Sequence, residues 1–87
     1  MNEIHVYGAD WCPDCRRAKR FFEKHSIPYT WHDTASDPEA ARFVREANEG
    51  GAVIPTIVFP DGSMLMEPST PQLIAKMQSL SRGAARL

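Results

Sequence analysis

The sequence predicts an α/β fold of minimal size, with element order β-α-β-α-β-β-α and a four-stranded mixed sheet carrying helices on both faces. Three observations predict it. Short β-prone runs alternate with stretches of helical periodicity along the chain. Two apolar runs flanking Pro60-Asp61-Gly62-Ser63 read as a hairpin. The chain's two cysteines stand three residues apart in Trp11-Cys12-Pro13-Asp14-Cys15, where the first strand gives way to the first helix.

Ile4-His5-Val6-Tyr7, closed by Gly8, is the first strand. Cys15, Ala18, Phe21 and Phe22 then recur at helical spacing, with Arg16, Arg17, Lys19, Arg20 and Lys24 on the other faces. Phe21 and Phe22 are core candidates. Pro13 suits the first turn of this helix, where the N–H it lacks would have no intrahelical partner. Pro28-Tyr29-Thr30-Trp31-His32 is aromatic and β-prone, a second strand. Ser36-Asp37-Pro38-Glu39 signals a helix start in two ways. Ser36 and Glu39 have capping-box spacing, and Asp37 offers a cap with proline at the first helical position. Ala40, Phe43, Val44 and Ala47 form the apolar face of that helix, which Asn48, Gly50 and Gly51 end. Thr56-Ile57-Val58-Phe59 and Met64-Leu65-Met66 are the hairpin arms. Ser69-Thr70-Pro71-Gln72 opens a last helix with Leu73, Ile74, Met77 and Leu80 on one face. One domain is expected over residues 1–80 and a frayed tail over 81–87. A parallel strand pair joined by a right-handed helical crossover, then a hairpin under a last helix, is the thioredoxin fold in its smallest form.

Composition narrows the function. Eighty-seven residues leave no room for a second core. Hydrophobic content of 43% and charged content of 24% suit a globular chain, and a net charge of -1 gives no electrostatic footprint for nucleic acid. No apolar run reaches membrane-spanning length. Met1-Asn2-Glu3-Ile4-His5 lacks the basic and apolar regions of a signal peptide, so a cytoplasmic monomer with reduced thiols is expected.

In that setting the cysteine pair points to redox chemistry. A disulfide across so short a loop removes little entropy from the unfolded chain and makes a poor staple. A closed zinc site needs about four ligands. Here there is no second C-x-x-C, and His5, His25 and His32 are not paired at ligand spacing; no metal is expected. His25 and His32 are assigned to surface or partly buried structural positions. Cys12 falls at a helix N-terminus, where unpaired N–H groups and the macrodipole favour a thiolate, the form that attacks disulfides. Cys15 lies one turn inside, where burial keeps it protonated. Cys12 is therefore the candidate nucleophile and Cys15 the candidate resolving thiol. Asp10 and Asp14 disfavour the thiolate. The cluster Arg16, Arg17, Lys19 and Arg20 opposes them; it is either a solvated helix face or a local attraction for anionic substrates.

With these residues in view, the chain resembles the glutaredoxins over about residues 3–80. Cys12-Pro13-Asp14-Cys15 is similar to the family's C-P-Y-C, with Asp14 in place of tyrosine. Ile54-Pro55-Thr56 sits where the family has T-V-P with a cis proline. Gly62 to Thr70 occupies the hairpin and helix start that complete the thiol-binding groove. Within the family, Trp11-Cys12 and the runs Asn48-Glu49-Gly50-Gly51, Ile54-Pro55-Thr56, Asp61-Gly62-Ser63 and Pro68-Ser69 look most like mycoredoxins, which use mycothiol.

The resemblance implies a thiol–disulfide oxidoreductase with no tightly bound cofactor. A low-molecular-weight thiol, mycothiol or glutathione, would be the co-substrate, and partners would be disulfide or S-thiolated proteins and a flavin disulfide reductase. It also implies a groove made by Trp11, Pro13, Ile54, Pro55, Ser69 and Thr70. There the Ile54 backbone pairs with a bound peptide like a strand edge, Pro55 is cis, and Trp11 is either an apolar wall or an exposed aromatic without substrate contact. Glutathione-using members carry G-G-C-D-D before the last helix and a basic residue before the first cysteine. This chain has Met66-Glu67-Pro68-Ser69-Thr70 and Ala9-Asp10, which favours mycothiol. Two other readings stand beside it. An electron donor to ribonucleotide reductase, recharged by thioredoxin reductase, lacks that group's tryptophan-serine-glycine-phenylalanine stretch here. An iron–sulfur carrier often lacks proline after the first cysteine, and Pro13 counts against it.

Overall fold

Chain order builds β1 (His5–Gly8), α1 (Pro13–Lys24), β2 (Thr30–Asp33), α2 (Pro38–Ala47), β3 (Thr56–Val58), β4 (Met64–Met66) and α3 (Thr70–Ala85). The computed structural model describes residues 3–85. The sheet runs β2-β1-β3-β4. β1 is parallel to β2, with Val6 beside Trp31 and Gly8 beside Asp33. It is antiparallel to β3, with Tyr7 beside Thr56, and β3 pairs antiparallel with β4. This is the expected element order, and β1 is the strand on which both halves of the chain meet.

Strand alternation divides the residues between two layers. Val6, Ile57 and Leu65 point to one face. There they pack with Ala18, Phe21 and Phe22 of α1 and with Leu73 of α3, together with Ile4 and Phe59. His5, Tyr7 and His32 point to the other, where Phe43 of α2 stacks on Tyr7 at 4.4 Å between ring centroids. Phe22, Val6 and Ile57 are wholly buried; full burial of such side chains stabilises by about 1.5–3 kcal/mol each.

Helix starts follow the local chemistry. Cys12 is the N-cap of α1, with Pro13 at its first position. Asp37, not Ser36, caps α2: its Oδ1 accepts from the Glu39 N–H at 3.0 Å, while the Ser36 hydroxyl donates to Asp33 at 3.0 Å. Ser69 and Gln72 cap α3 reciprocally. The Ser69 N–H donates to Gln72 Oε1 at 2.8 Å, and the Gln72 N–H donates to Ser69 Oγ at 3.3 Å.

The structure corrects the sequence reading at several ends. Phe59 falls outside β3 because its N–H closes the hairpin on the Ser63 carbonyl at 2.9 Å. Pro28 and Tyr29 precede β2, which begins where the Thr30 N–H reaches the Ile4 carbonyl at 2.8 Å. α3 runs to Ala85, past Ser81, where a tail was expected. One interior glycine costs a helix only about 1 kcal/mol, and alanine is the strongest helix former, so Gly83 does not stop it before Ala84 and Ala85. The remainder of the expected tail, residues 86–87, lies outside the described residues, as do residues 1–2 of the N-terminal stretch. No helix among the described residues is long and apolar enough to cross a membrane.

Candidate active site

Cys12 and Cys15 meet at the first turn of α1. The Cys15 N–H donates to Cys12 Sγ at 3.3 Å, so the cap of the helix is itself a thiol sulfur. Pro13, exposed at the first helical position, has no N–H to compete for that sulfur. Cys12 is 6% exposed and Cys15 0%, and both are free. Burial, reinforced by the hydrogen bond to Cys12, pushes the Cys15 thiol up to about 12.

Gly8 makes room for that buried sulfur. A β-carbon built on Gly8 would lie 2.5 Å from Cys15 Sγ and 3.1 Å from the Trp31 ring. Glycine thus ends β1 here because the helix and the Trp31 ring close on the backbone. Lys19 Nζ lies 4.1 Å from the Trp31 ring centroid and 3.2 Å from Asp10 Oδ1. Arg16 donates to the Asp10 carbonyl at 2.9 Å, and Arg17 pairs with Asp14 at 2.9 Å. Asp10 and Asp14 are thus each paired with a cation, Lys19 and Arg17 respectively. Arg20 makes no ion pair among the described residues.

The second half of the chain holds the remaining residues expected at the site. The Ile54–Pro55 bond is cis, as the resemblance implies. Pro55 immediately precedes Thr56, the partner of Tyr7, and so lies toward the Gly8 end of β1, the end from which the chain runs on to Cys12 and Cys15. Its loop is anchored from below. Thr56 Oγ1, wholly buried, donates to the Val53 carbonyl at 2.7 Å and accepts from Asn48 Nδ2 at 3.2 Å. The Glu67 N–H donates to the Pro55 carbonyl at 2.8 Å, which ties the approach to α3, and with it Ser69 and Thr70, to the cis proline. Ser69 spends its N–H and one oxygen lone pair on the cap of α3. Ile54 and Thr70 are half-buried. Trp11 is 70% exposed.

Gly8, Lys19 and Trp31 are site neighbours that sequence reasoning did not assign. A glycine ending a strand four residues before a C-x-x-C was visible, but what presses on it is a long-range contact. Among the described residues, no three His, Cys, Asp or Glu side chains cluster to hold a metal ion. His5 Nδ1 and His32 Nε2 do meet, at 2.9 Å; sequence spacing hides this because the two rings are neighbours across strands.

Residues 4–65 match the glutaredoxin family model. The chain belongs to the glutaredoxin family. This glutaredoxin is 31% identical over 81 residues to mycoredoxin 1 of Corynebacterium glutamicum, covering 93% of this chain and 100% of that one. It is 34% identical over 78 residues to a Mycobacterium tuberculosis protein named as a glutaredoxin, covering 90% and 93%. Its fold is similar to a solved thioredoxin-like protein, with TM-score 0.63 and 29% identity over 90% of this chain and 99% of that one. It is also similar to the glutaredoxin of Archaeoglobus fulgidus, with TM-score 0.67 and 19% identity over 84% and 83%. The fold is the thioredoxin fold, and the chain is a thiol–disulfide oxidoreductase of the glutaredoxin type. Members of the family work on thiol and disulfide substrates.

Proposed function

We propose that this glutaredoxin reduces mixed disulfides between proteins and a low-molecular-weight thiol, with Cys12 as nucleophile, Cys15 as resolving thiol and mycothiol as the preferred co-substrate. The observation that carries the division of labour is the Cys15 N–H aimed at Cys12 Sγ while the Cys15 thiol is buried and held protonated. The Cys12 sulfur is thereby held at the first turn of α1 with an amide donor on it.

Reduction proceeds by exchange, with sulfur–sulfur bonds conserved at each step. The Cys12 thiolate attacks the small-thiol sulfur of the mixed disulfide, and the protein sulfur leaves and takes up a proton. Cys12 then carries the small thiol as a new mixed disulfide. In one route a second small-thiol molecule attacks, leaving as a small-molecule disulfide and restoring the Cys12 thiolate. In the other the Cys15 thiol loses its proton and attacks Cys12 Sγ, closing the Cys12–Cys15 disulfide and expelling the small thiol. A flavin disulfide reductase would reopen that disulfide. Two free thiols working in this way suit a reducing, cytoplasmic setting.

Mycothiol is favoured by the helix start beside the groove. Ser69 and Thr70 are neutral where paired aspartates would meet the ammonium of glutathione. A missing charged hydrogen bond costs about 1.5–3 kcal/mol, or about 10- to 150-fold in affinity. The likeness to mycoredoxin 1 supports the same choice. Steady-state reduction of one model mixed disulfide, run with mycothiol and with glutathione at equal concentration, tests it. Faster turnover with mycothiol is expected; equal or faster turnover with glutathione overturns the choice of thiol.

A further inference from the structure

The structure has a second concave surface, on the face of α1 that turns toward α3. An open groove of about 540 Å³ is lined by Arg17, Arg20, Phe21, Lys24, Thr70 and Ile74, with His25 at its edge. It continues into a second hollow of about 240 Å³, which shares Phe21, His25 and Ile74 and runs on past Met77 to Ser81. Pro13, Arg17, Arg20 and Lys24 recur along α1 at i, i+4, i+7 and i+11, so this face begins next to Cys12 and leads away from it.

The lining is two-sided in chemistry. Its floor is apolar, with Phe21 buried and Ile74 42% exposed. Its α1 rim is cationic, and no carboxylate lines either hollow. Of the three rim cations, Arg17 pairs with Asp14 at the end nearest the cysteines. Arg20 and Lys24 make no ion pair among the described residues.

We propose that this groove docks the segment of a protein substrate adjoining its thiolated cysteine: an extended stretch with one aliphatic side chain and two or three carboxylates. The aliphatic side chain would cover Ile74 and Phe21, and the carboxylates would face Arg20 and Lys24. From Thr70 to Ser81 the groove spans roughly 16 Å at 1.5 Å per helical residue, which about five extended residues fill at 3.3 Å each. Charge and apolar floor act together in this reading, so neither a purely anionic nor a purely aliphatic segment docks as well. The inference rests on the proposed reduction of protein mixed disulfides, and it adds a rule for which protein sites are reduced first.

The test is single-turnover reduction by the pre-reduced full chain, using synthetic heptapeptides each carrying one cysteine blocked by 2-mercaptoethanol. One peptide carries a leucine and three glutamates, one a leucine and three lysines, and one a serine and three glutamates; hydroxyethyl disulfide is the small control substrate. The acidic leucine peptide is expected to react about three- to tenfold faster than either alternative, the sum of a few exposed ion pairs and one partly buried side chain. In Lys24→Glu, a rim cation outside the cluster beside the cysteines, the advantage of the glutamate peptide over the lysine peptide should fall away, and in Ile74→Ser the leucine advantage should vanish. Both variants should keep wild-type rates on hydroxyethyl disulfide, which shows that they are folded. Equal rates on all three peptides, with hydroxyethyl disulfide still reduced, overturn the docking proposal alone. Variants that slow every substrate alike also overturn it, since the effect would then lie on the cysteine. A dimer in solution that Ile74→Ser dissociates would assign the groove to a second copy and overturn the proposal. Failure to reduce any disulfide would sink the proposed function itself, and the docking role with it.

Discussion

The sulfur of Cys15 sits so close to the backbone of Gly8 that a β-carbon at Gly8 would stand 2.5 Å from it. The neighbouring atom belongs to a wholly buried side chain in a helix, so nothing flexible can yield. Gly8→Ala is expected to destabilise the reduced protein by about 1–3 kcal/mol, the usual cost of overpacking. Urea unfolding measures it; unchanged stability would mean that α1 shifts freely, against the packing described.

Cys12→Ser should abolish reduction of every disulfide substrate, because the remaining thiol is buried. Cys15→Ser should keep or raise activity on small-thiol mixed disulfides while losing activity on protein disulfides. The two variants assayed side by side on both substrate types check the assignment, and substantial activity in Cys12→Ser contradicts it.

Cys15 also predicts an alkaline response of the reduced protein. Its thiol is raised in the fold from an ordinary value near 9 to about 12. Between those values the unfolded chain binds fewer protons than the native one, so stability falls as pH rises. Tyr29, raised to about 12 by burial and its hydrogen bond to Glu23, adds to the loss from about pH 10 upward. Denaturant midpoints between pH 8 and 11 should fall more steeply for the wild type than for Cys15→Ala. Opening the thiol to water by Trp31→Ala, in a Cys12→Ser background, should speed alkylation of Cys15 at fixed pH. An unchanged rate would show that Trp31 does not shield it.

On the acid side the informative group is His32. Burial, with His5 Nδ1 2.9 Å from its ring, lowers its pKa below 6.5 despite a smaller opposing pull from Asp37. As pH falls from about 7 toward 5, the unfolded chain takes up that proton first, so the native state loses stability. His32→Gln should flatten this part of the pH–stability curve, as read by thermal unfolding in matched buffers. A curve of undiminished slope would place the acid sensitivity elsewhere.

Most of the fold was legible in the sequence because local signals agreed: Pro13 and Pro38 at first helical positions, the turn at Asp61-Gly62, and the periodicity of Phe43 and Val44. The placement of Cys12 and Cys15 together at a helix start was legible for the same reason, since it depends only on their spacing and on the helix signal. Element ends were less so, because they are decided by single hydrogen bonds such as that from Phe59 to Ser63. The approach of the Trp31 ring to Gly8 and Lys19, and of His5 to His32, was not legible. These contacts join residues far apart in the chain, and no periodicity in one strand reveals what lies beside it in another. Ser69 shows an intermediate case: the helix start was read correctly, but its reciprocal bond with Gln72 takes hydrogen-bonding capacity that the reading had reserved for a small thiol.

The central place of β1 in the sheet has a consequence for how activity is gained and lost. Cys12 and Cys15 belong to the β1–α1–β2 half, whereas Pro55, Ser69 and Thr70 belong to the half built on β3 and β4, and the two halves join along β1. Under the proposed function neither half as a fragment holds all the groove residues. Catalysis is then a property of the complete cooperative unit: on titration with denaturant, enzymatic competence and the helical signal should disappear at one midpoint, and mixing the two halves should restore function only where the β1–β3 ladder re-forms.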